Sequence, residues 1–431
     1  MKQTLFMIVM CLIGVFGLFR TTLTGVFVYH FFATLRPQYI WIWAIPRWQW
    51  SQFVAVPTII AVIFFRLTTP VPVRTFRTGH ALALLFFCWT TLSYFTARDQ
   101  FVAWLTYFVY LKMFVMFFIS AMALYSMTAL WRLLIVTALA LAYIAYEVNI
   151  LYFTTGYIAI YFNGYGGLDN NGAGLMLAMG VPLCLFIFLE AKAWWRWAFA
   201  AFIPVILHAV LMTFSRGAWV ALILAAPLMF LRGKNKKMLA AAAIAIALMV
   251  PIMAGQEIRK EFFSVESYDE DGSAQARFGS WRAAWLMALD NPLVGVGVRN
   301  SPIFSYDYGA DQLGRVIHNN FLQILADSGF PALFFYVALL LNTFAATRRT
   351  RKETRHKEDR ESRLAYAVAC GVEAALGMFI IGGMFLSLEI FELPWLMILL
   401  GLQLPIARDA SLALEQANGT PEDAGAGAAA A

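Results

Sequence analysis

Two basic stretches, RGKNKK at 232–237 and RRTRKETRHKEDRESR at 348–363, interrupt an otherwise apolar chain. Because the cytoplasmic loops of membrane proteins carry an excess of Lys and Arg, both stretches are predicted to face the cytoplasm. Between them lie an apolar run at 238–254, a polar segment at 255–329 and a second apolar run at 330–346. Two crossings between two cytoplasmic loops would place the polar segment on the opposite, far side of the membrane.

Composition predicts an all-α integral membrane protein. Apolar residues make up 61% of the 431 residues and charged residues only 13%, against roughly 25% charged residues in soluble proteins. Apolar runs recur, and about 20 residues suffice for each crossing. The pattern predicts about twelve transmembrane helices with both termini cytoplasmic. In this count the short apolar runs 4–19 and 22–35 together form one crossing plus a half-helix. The net charge of +7 comes from the loop stretches, which excludes the basic folded face of a nucleic-acid-binding domain.

The predicted organisation has four parts. They are an N-terminal transmembrane bundle at 1–254, a helical far-side loop at 255–329, C-terminal transmembrane helices at 330–407 and a disordered cytoplasmic tail at 408–431. Within the loop, Ser273 is a candidate helix cap. The helix that follows is predicted to end at Asn291-Pro292, and His318 is predicted to open a second helix that breaks at Gly329.

Arg216 is the first candidate for chemistry. It lies in Ser215-Arg216-Gly217, a short link between two apolar runs that the alternation of crossings places on the far side. An arginine near a membrane usually pairs with another group or lines a polar cavity, and its planar guanidinium fits two phosphate oxygens. An interfacial arginine that extends to lipid head groups explains the sequence equally well.

Arg277 and Arg282 are the next candidates, on the predicted far-side helix. Arg277, Trp281 and Trp285 recur there at four-residue spacing, which places them on one helix face. Two arginines among tryptophans suit a phosphate group beside the membrane surface. The alternative is a helix that lies on the interface with its tryptophans as anchors.

His318 is the only one of five histidines in the far-side segment. Because an imidazole has an ordinary pKa near 6.5, it can accept a proton from a hydroxyl group at neutral pH, so His318 is a candidate general base. A structural role at the start of a helix is the alternative.

Other polar residues have ordinary explanations. Asp169-Asn170-Asn171 is predicted to cap the helix that begins there, and the acidic run 269–271 is predicted to be a solvated turn, so no metal and no cofactor are expected. Charges inside apolar runs indicate either an ion or proton pathway or pairing between helices. These charges are Lys112, Glu147, Glu373, Glu389 and Glu392.

Several motifs together resemble the O-antigen ligase and O-antigen polymerase superfamily of bacterial inner-membrane glycosyltransferases. They are TFSRGAW at 213–219, RFGSWRAAW at 277–285, DNPLVGVG at 290–297 and HNNFLQILADSG at 318–329. GLDNNGAGLMLAMGVPL at 167–183 is also similar to a segment of this superfamily. The resemblance covers roughly residues 165–400.

The resemblance implies a fold of the GT-C-like, lipid-sugar glycosyltransferase type in the bacterial inner membrane, with a large periplasmic loop. It implies a glycan donor on undecaprenyl pyrophosphate and a metal-independent transfer that inverts the anomeric centre. By motif, Arg216 and Arg277 would bind the pyrophosphate and His318 would activate the acceptor hydroxyl, while Arg282 is added because it lies close to Arg277 in the sequence. A ligase that uses lipid A-core as acceptor is the first interpretation. An O-antigen polymerase, a protein O-oligosaccharyltransferase and, from another class, a polysaccharide transporter are the alternatives.

Overall fold

The computed structural model describes residues 2–68, 75–253, 272–387 and 391–418, and the chain is helical throughout these ranges apart from its connecting turns. Its helices are α1 (Lys2–Phe16), α2 (Thr22–Leu35), α3 (Pro37–Ile40), α4 (Trp50–Thr68), α5 (Thr78–Phe95), α6 (Gln100–Ala123), α7 (Met127–Thr155), α8 (Ala159–Asn163), α9 (Asn170–Ala178), α10 (Gly180–Glu190), α11 (Arg196–Leu211), α12 (Arg216–Arg232), α13 (Lys236–Met253), α14 (Gly272–Asp290), α15 (Ser301–Phe304), α16 (Asn320–Thr354), α17 (Arg360–Gly383) and α18 (Glu392–Asn418).

Seven helices of the described ranges are long and apolar enough to cross a membrane, judged by length and composition. They are α1 with its following turn, α6, α7, α9 together with α10, α16, α17 and α18. At 14 residues, α2 is too short for a crossing of about 20, in agreement with the predicted half-helix. An all-helical, multi-spanning membrane protein is thus confirmed, and twelve crossings remains a prediction.

The centre of the bundle is α17, most of whose residues are buried. Helices α7, α10, α12, α16 and α18 pack around it. Close packing of these helices depends on small residues. At Gly382, for example, a Cβ would come within 2.5 Å of Leu175 of α9. On the outer helices α1, α4 and α6, large apolar side chains point outward instead, as contact with lipid requires.

The two basic stretches meet at one end of the bundle around a buried carboxylate. The Nε atom of Arg351 donates to both oxygens of Glu373, at 3.2 and 3.0 Å, and the Nε atom of Arg232 lies 3.0 Å from the same carboxylate. Lys234 extends toward Glu190 at 3.8 Å. A buried charge is costly unless it is paired, so these contacts join α10, α12, α16 and α17 at this end.

The remaining charges within apolar runs are also partnered. Glu392 lies 3.7 Å from Arg36, Lys112 donates to a glutamine side chain, and Glu147 accepts from the Tyr143 hydroxyl. Pairing between structural elements, one of the two explanations left open, therefore accounts for Glu392 and Lys112, whereas Glu147 is partnered within its own helix α7. Glu389 lies outside the described residues.

Two sequence-based predictions need correction. The tail was expected to be disordered from 408, but α18 continues to Asn418, and the first residues of this continuation contact the bundle through the pairs Arg408–Glu353 and Asp409–Arg77. At the other site, α14 begins at Gly272, so Ser273 lies within the helix rather than at its cap. The acidic run 269–271 and the final residues 419–431 lie outside the described residues.

Candidate active site

The described part of the polar segment folds as a small helical unit with its own core. Helix α14 packs on α16, and buried alanines of α14 contact residues of the following loops and of α16. This core comprises Ala283, Ala284, Met287, Val296, Ala310, Ile317 and Ala326. The unit therefore forms a fixed platform on the bundle, so its polar side chains have defined positions.

Backbone hydrogen bonds join the glycine-rich loop to the first part of α16. The amides of Val296 and Gly297 donate to the carbonyls of Ala326 and Asp327 at 2.9 and 3.0 Å. The loop and the end of the HNNFLQILADSG motif consequently run side by side. This contact explains why the two motifs occur together.

Two glycines in these motifs are required by geometry. Gly297 has φ 114°, and a Cβ there would lie 2.4 Å from the Cβ of Ala97. Gly329 has φ 81°, and a Cβ there would lie 2.3 Å from the carbonyl oxygen of Leu293. Because glycine alone adopts such conformations without steric cost, these positions shape the loop that precedes Arg299.

Asp327 holds the same loop from the side of α16. Its buried carboxylate accepts a hydrogen bond from the Ser301 amide at 2.8 Å, and its carbonyl accepts one from the Ser93 hydroxyl at 2.7 Å. The loop, α16 and α5 are thereby fixed together. Arg299 lies between these anchors in a left-handed conformation, with φ 60°.

His318 lies just before α16 rather than within it, which corrects the prediction that it opens this helix. Asn319 is the cap, because its side-chain oxygen accepts from the amides of Phe321 and Leu322 at 3.0 Å each. His318 is left in a loop with φ 54°, and its own amide donates to the Ser387 hydroxyl at 3.0 Å. The backbone around the imidazole is therefore fixed on both sides.

Arg277 is held close to His318 by a bridging serine. The Ser280 hydroxyl lies 2.9 Å from the Arg277 carbonyl and 3.1 Å from the carbonyl of Ile317, the residue before His318. Arg277 is half-buried. A single turn of α14 thus brings this guanidinium to the histidine loop.

Arg216 starts α12 at the same end of the bundle. Its helix is capped by Ser215, whose hydroxyl accepts from the Ala218 amide at 3.2 Å. A Cβ placed on Gly217 would lie 4.0 Å from Phe385, and the Phe385 ring lies 6.4 Å from the ring of Trp281 on α14.

Residues 385–387 therefore connect the three elements that carry the candidate residues. Phe385 lies between the start of α12 and helix α14, and Ser387 binds the backbone of His318. Helix α12 has 17 residues, so its length separates Arg216 from the basic end of the bundle by about 25 Å. Arg216, Arg277 and His318 thus lie at one end, opposite the buried Glu373 cluster.

Asp169 completes the surroundings of the imidazole. It caps α9, as predicted, because its carboxylate accepts from the Gly172 amide at 2.7 Å. The neighbouring Asn170 donates to the Thr213 carbonyl at 3.0 Å, which attaches the start of α9 to the turn before Arg216. Asp169 also acts electrostatically on His318.

The electrostatic environment keeps His318 neutral. Burial is the largest cause that lowers the pKa of this imidazole below its ordinary 6.5, and the positive charge of Arg277 lowers it further. Asp169 opposes this shift, whereas Arg315 and Arg299 add to it. A neutral imidazole at pH 7 is the form that accepts a proton.

The structure does not bring Arg282 into this group. Its side chain is exposed, and five helix positions from Arg277 correspond to a rotation of about 140° around α14. The charges that shift the pKa of His318 include those of Asp169, Arg277, Arg299 and Arg315. The role assigned to Arg282 stays a prediction.

Sequence reasoning missed Arg299 and Arg315. The sequence feature that could have revealed Arg299 is its position directly after the glycine-rich loop. Tight turns hold the side chain that follows them in a fixed direction. Arg315 pairs with exposed Asp311 through both oxygens. Across the residues that the structure describes, no group of three or more His, Cys, Asp or Glu side chains is arranged to bind a metal ion.

The fold and this site define a multi-spanning helical membrane protein with arginines gathered around a neutral imidazole at one end of the bundle. A family model described as O-Antigen ligase matches residues 205–337, a range that contains Arg216, Arg277, Arg282 and His318. A segment of 183 residues is 25% identical to an O-antigen ligase of Salmonella typhimurium and covers 39% of this chain and 45% of that protein. The match thus spans less than half of that relative's length. Both findings confirm the resemblance to the O-antigen ligase superfamily.

Proposed function

We propose that this protein is an O-antigen ligase that transfers a glycan from undecaprenyl pyrophosphate to a hydroxyl group of lipid A-core. The observation that carries the proposal is the meeting of the Arg216 turn, Arg277 and His318 around residues 385–387. A leaving phosphate group needs cationic side chains such as arginine, and an attacking hydroxyl group needs a base such as histidine. The active site faces the periplasm of a bacterial inner membrane, since the two basic stretches at the other end fit cytoplasmic loops.

The arginines act on the leaving group. As the bond between the anomeric carbon and the pyrophosphate breaks, negative charge develops on the phosphate oxygens. Arg216 and Arg277 stabilise this charge through fixed, charge-assisted hydrogen bonds. Two guanidinium groups supply the positive charge that a divalent cation supplies in other transfers, which supports a metal-independent reaction.

His318 acts on the nucleophile. A sugar hydroxyl attacks efficiently only when a base removes its proton, and the neutral imidazole is placed to accept it. Attack on the face opposite the pyrophosphate inverts the anomeric centre. The proton ends on His318, and the electron pair of the broken bond leaves with the pyrophosphate.

The acceptor decides among the enzymatic interpretations. An O-antigen polymerase would use the same groups and offer a second repeat unit, and a protein O-oligosaccharyltransferase would offer a peptide hydroxyl. A transporter is disfavoured because the candidate groups gather at one end of the bundle. The test is reconstitution in liposomes with a purified lipid-linked oligosaccharide, offered lipid A-core, a second repeat unit and a serine-containing peptide separately. Glycan on lipid A-core supports the ligase, and glycan only on either other acceptor contradicts it.

The pH dependence of transfer is expected to follow His318. Burial and Arg277 lower the pKa of His318 below 6.5. The transfer rate should therefore stay constant as the pH is lowered from 8 to about 6.5 and fall only below that value. Asp169→Asn removes a charge that raises this pKa, so the acid limb should move to lower pH, while asparagine keeps the helix cap. Arg315→Gln removes a charge that lowers the pKa, so the limb should move to higher pH. Rate profiles of the three proteins check this, and shifts of the same sign in both variants would contradict it.

A further inference from the structure

A groove of about 730 Å³ lies beside the candidate active site. It is lined by residues of α2, α4 and α6, by the segment 36–49 between α2 and α4, by residues 166–168 and by Glu392 at the start of α18. Its polar wall includes Arg36, Arg47, Gln49, Gln52, Lys112 and Glu392. We call it the cationic groove. None of these residues takes part in the glycan transfer proposed above.

The charge of the groove is positive. Arg36 is compensated, because it lies 3.7 Å from Glu392 and also donates to the Gly166 carbonyl. Arg47 and Lys112 add two further cations. Lys112 donates at 3.0 Å to Gln49, which lies two residues from Arg47. Arg47 and Lys112 thus both line the groove, and Gln49 links the lysine to the segment that carries Arg47.

Apolar lining residues of the groove suit a lipid. Ile42 and Val56 line it with 50% and 58% of their surfaces exposed. In the same segment of chain as Ile42 and Arg47, Trp43 and Trp48 are exposed at 72% and 56%. Tryptophan concentrates at the level of lipid head groups, which suits a site for a head group with acyl chains. An anionic amphiphile matches both the cations and the apolar lining, whereas a free phosphate matches only the cations.

The groove borders the histidine site across a short loop. Leu168 lines the groove, and the next residue, Asp169, acts electrostatically on His318. One residue further, Asn170 contacts the turn before Arg216. The loop therefore links the groove to a carboxylate that acts on His318 and to the turn before Arg216.

We propose that the cationic groove binds the phosphate-bearing head group of the acceptor glycolipid, with Arg47 and Lys112 as its phosphate ligands. This rests on the proposed function, in which the donor pyrophosphate occupies Arg216 and Arg277. A transfer reaction also needs a place for its second substrate near the base. The groove supplies that place with the charge and the apolar wall of a membrane-resident phospholipid or phosphoglycolipid.

The test is direct binding of purified lipid A-core to the full-length protein in phosphatidylcholine nanodiscs without donor. The Arg47→Ala, Lys112→Ala double variant is expected to bind about tenfold more weakly or worse, since each charged hydrogen bond to phosphate contributes strongly. Enzymatically dephosphorylated lipid A-core should bind the wild type and the double variant alike. Arg20→Ala, an exposed arginine at the other end of α2, is the matched control and should bind like the wild type.

Further arms separate the possible outcomes. Arg47→Lys, Lys112→Arg retains both charges and should restore binding, which excludes simple misfolding of the alanine variant. Equal displacement by phosphatidylglycerol or by inorganic phosphate would overturn the acceptor assignment, as would unchanged binding by the double variant. In transfer assays the acceptor KM should rise while the donor KM stays constant. If the wild type transfers glycan to no acceptor, the proposed function fails. The binding measurement still shows whether the groove binds the phosphate-bearing glycolipid.

Discussion

His318→Asn should reduce glycan transfer by about 10²- to 10⁴-fold, the usual contribution of a general base. Asparagine accommodates the left-handed backbone of this position, with φ 54°, better than alanine does. It keeps the hydrogen bond to Ser387, since the donor is the backbone amide. The side-chain amide cannot accept a proton at neutral pH, so the variant removes the base and little else.

The measurement is the initial rate of transfer in liposomes from a labelled lipid-linked oligosaccharide to lipid A-core, together with donor binding. Binding should persist, because the arginines that hold the pyrophosphate are intact. His318→Ala should lose the same activity, with additional destabilisation from the strained backbone. A His318→Asn enzyme that transfers glycan at the wild-type rate would exclude this imidazole as the base.

Glu373→Ala should lower the free energy of unfolding by about 3–5 kcal/mol, the usual cost of removing one partner from a buried ion pair. Glu373 and Arg351 are 2% and 6% exposed, and Arg232 shares the same carboxylate. Without Glu373, two guanidinium groups would remain close together in a bundle interior with no carboxylate between them. Their burial is then uncompensated and their mutual repulsion adds to the cost.

Thermal and denaturant unfolding in detergent micelles measure this effect. Glu353→Ala is the matched control at the same end of the bundle, because its side chain is 39% exposed and its partners Arg349 and Arg408 are 76% and 22% exposed. A pair of this kind contributes only about 0–1 kcal/mol. If Glu373→Ala destabilised the protein no more than Glu353→Ala, the buried cluster would not hold this end together.

Much of the fold follows from local sequence patterns. Apolar runs predict helices because a backbone in lipid must satisfy its own hydrogen bonds, and Asn291-Pro292 marks the end of α14 for a local steric reason. One boundary that sequence reasoning placed wrongly, the end of α18, lies beyond contacts with distant residues. Arg408 and Asp409, where the unexpected part of α18 begins, contact Glu353 and Arg77, which are remote in sequence. No periodicity reveals such pairs.

The candidate active site was likewise predictable from sequence only in part. Arg216, Arg277 and His318 stand in recognisable motifs, so they could be proposed from sequence. Their meeting depends on residues 385–387, far along the chain, and on the packing of α12 and α14 around Phe385.

The cationic groove was not foreseen for a related reason. Arg36, Arg47 and Lys112 lie in the first third of the chain, where the sequence shows general hydropathy and no motif. They line one groove because α2, α4 and α6, in or next to which they lie, pack against one another. Packing between helices is a tertiary property, and hydropathy alone does not encode which polar residues it gathers.

The central claim is that Arg216 and Arg277 stabilise one pyrophosphate, and a double-mutant cycle on transfer tests it most directly. Rates in liposomes would be compared for the wild type, Arg216→Ala, Arg277→Ala and the double variant. Each single variant should lose about 10²- to 10³-fold, as removal of one charge-stabilising donor does, and the double variant should lose clearly less than the product of the two. Single variants with wild-type rates, or losses that multiply in full, would show that the two arginines do not share a substrate group.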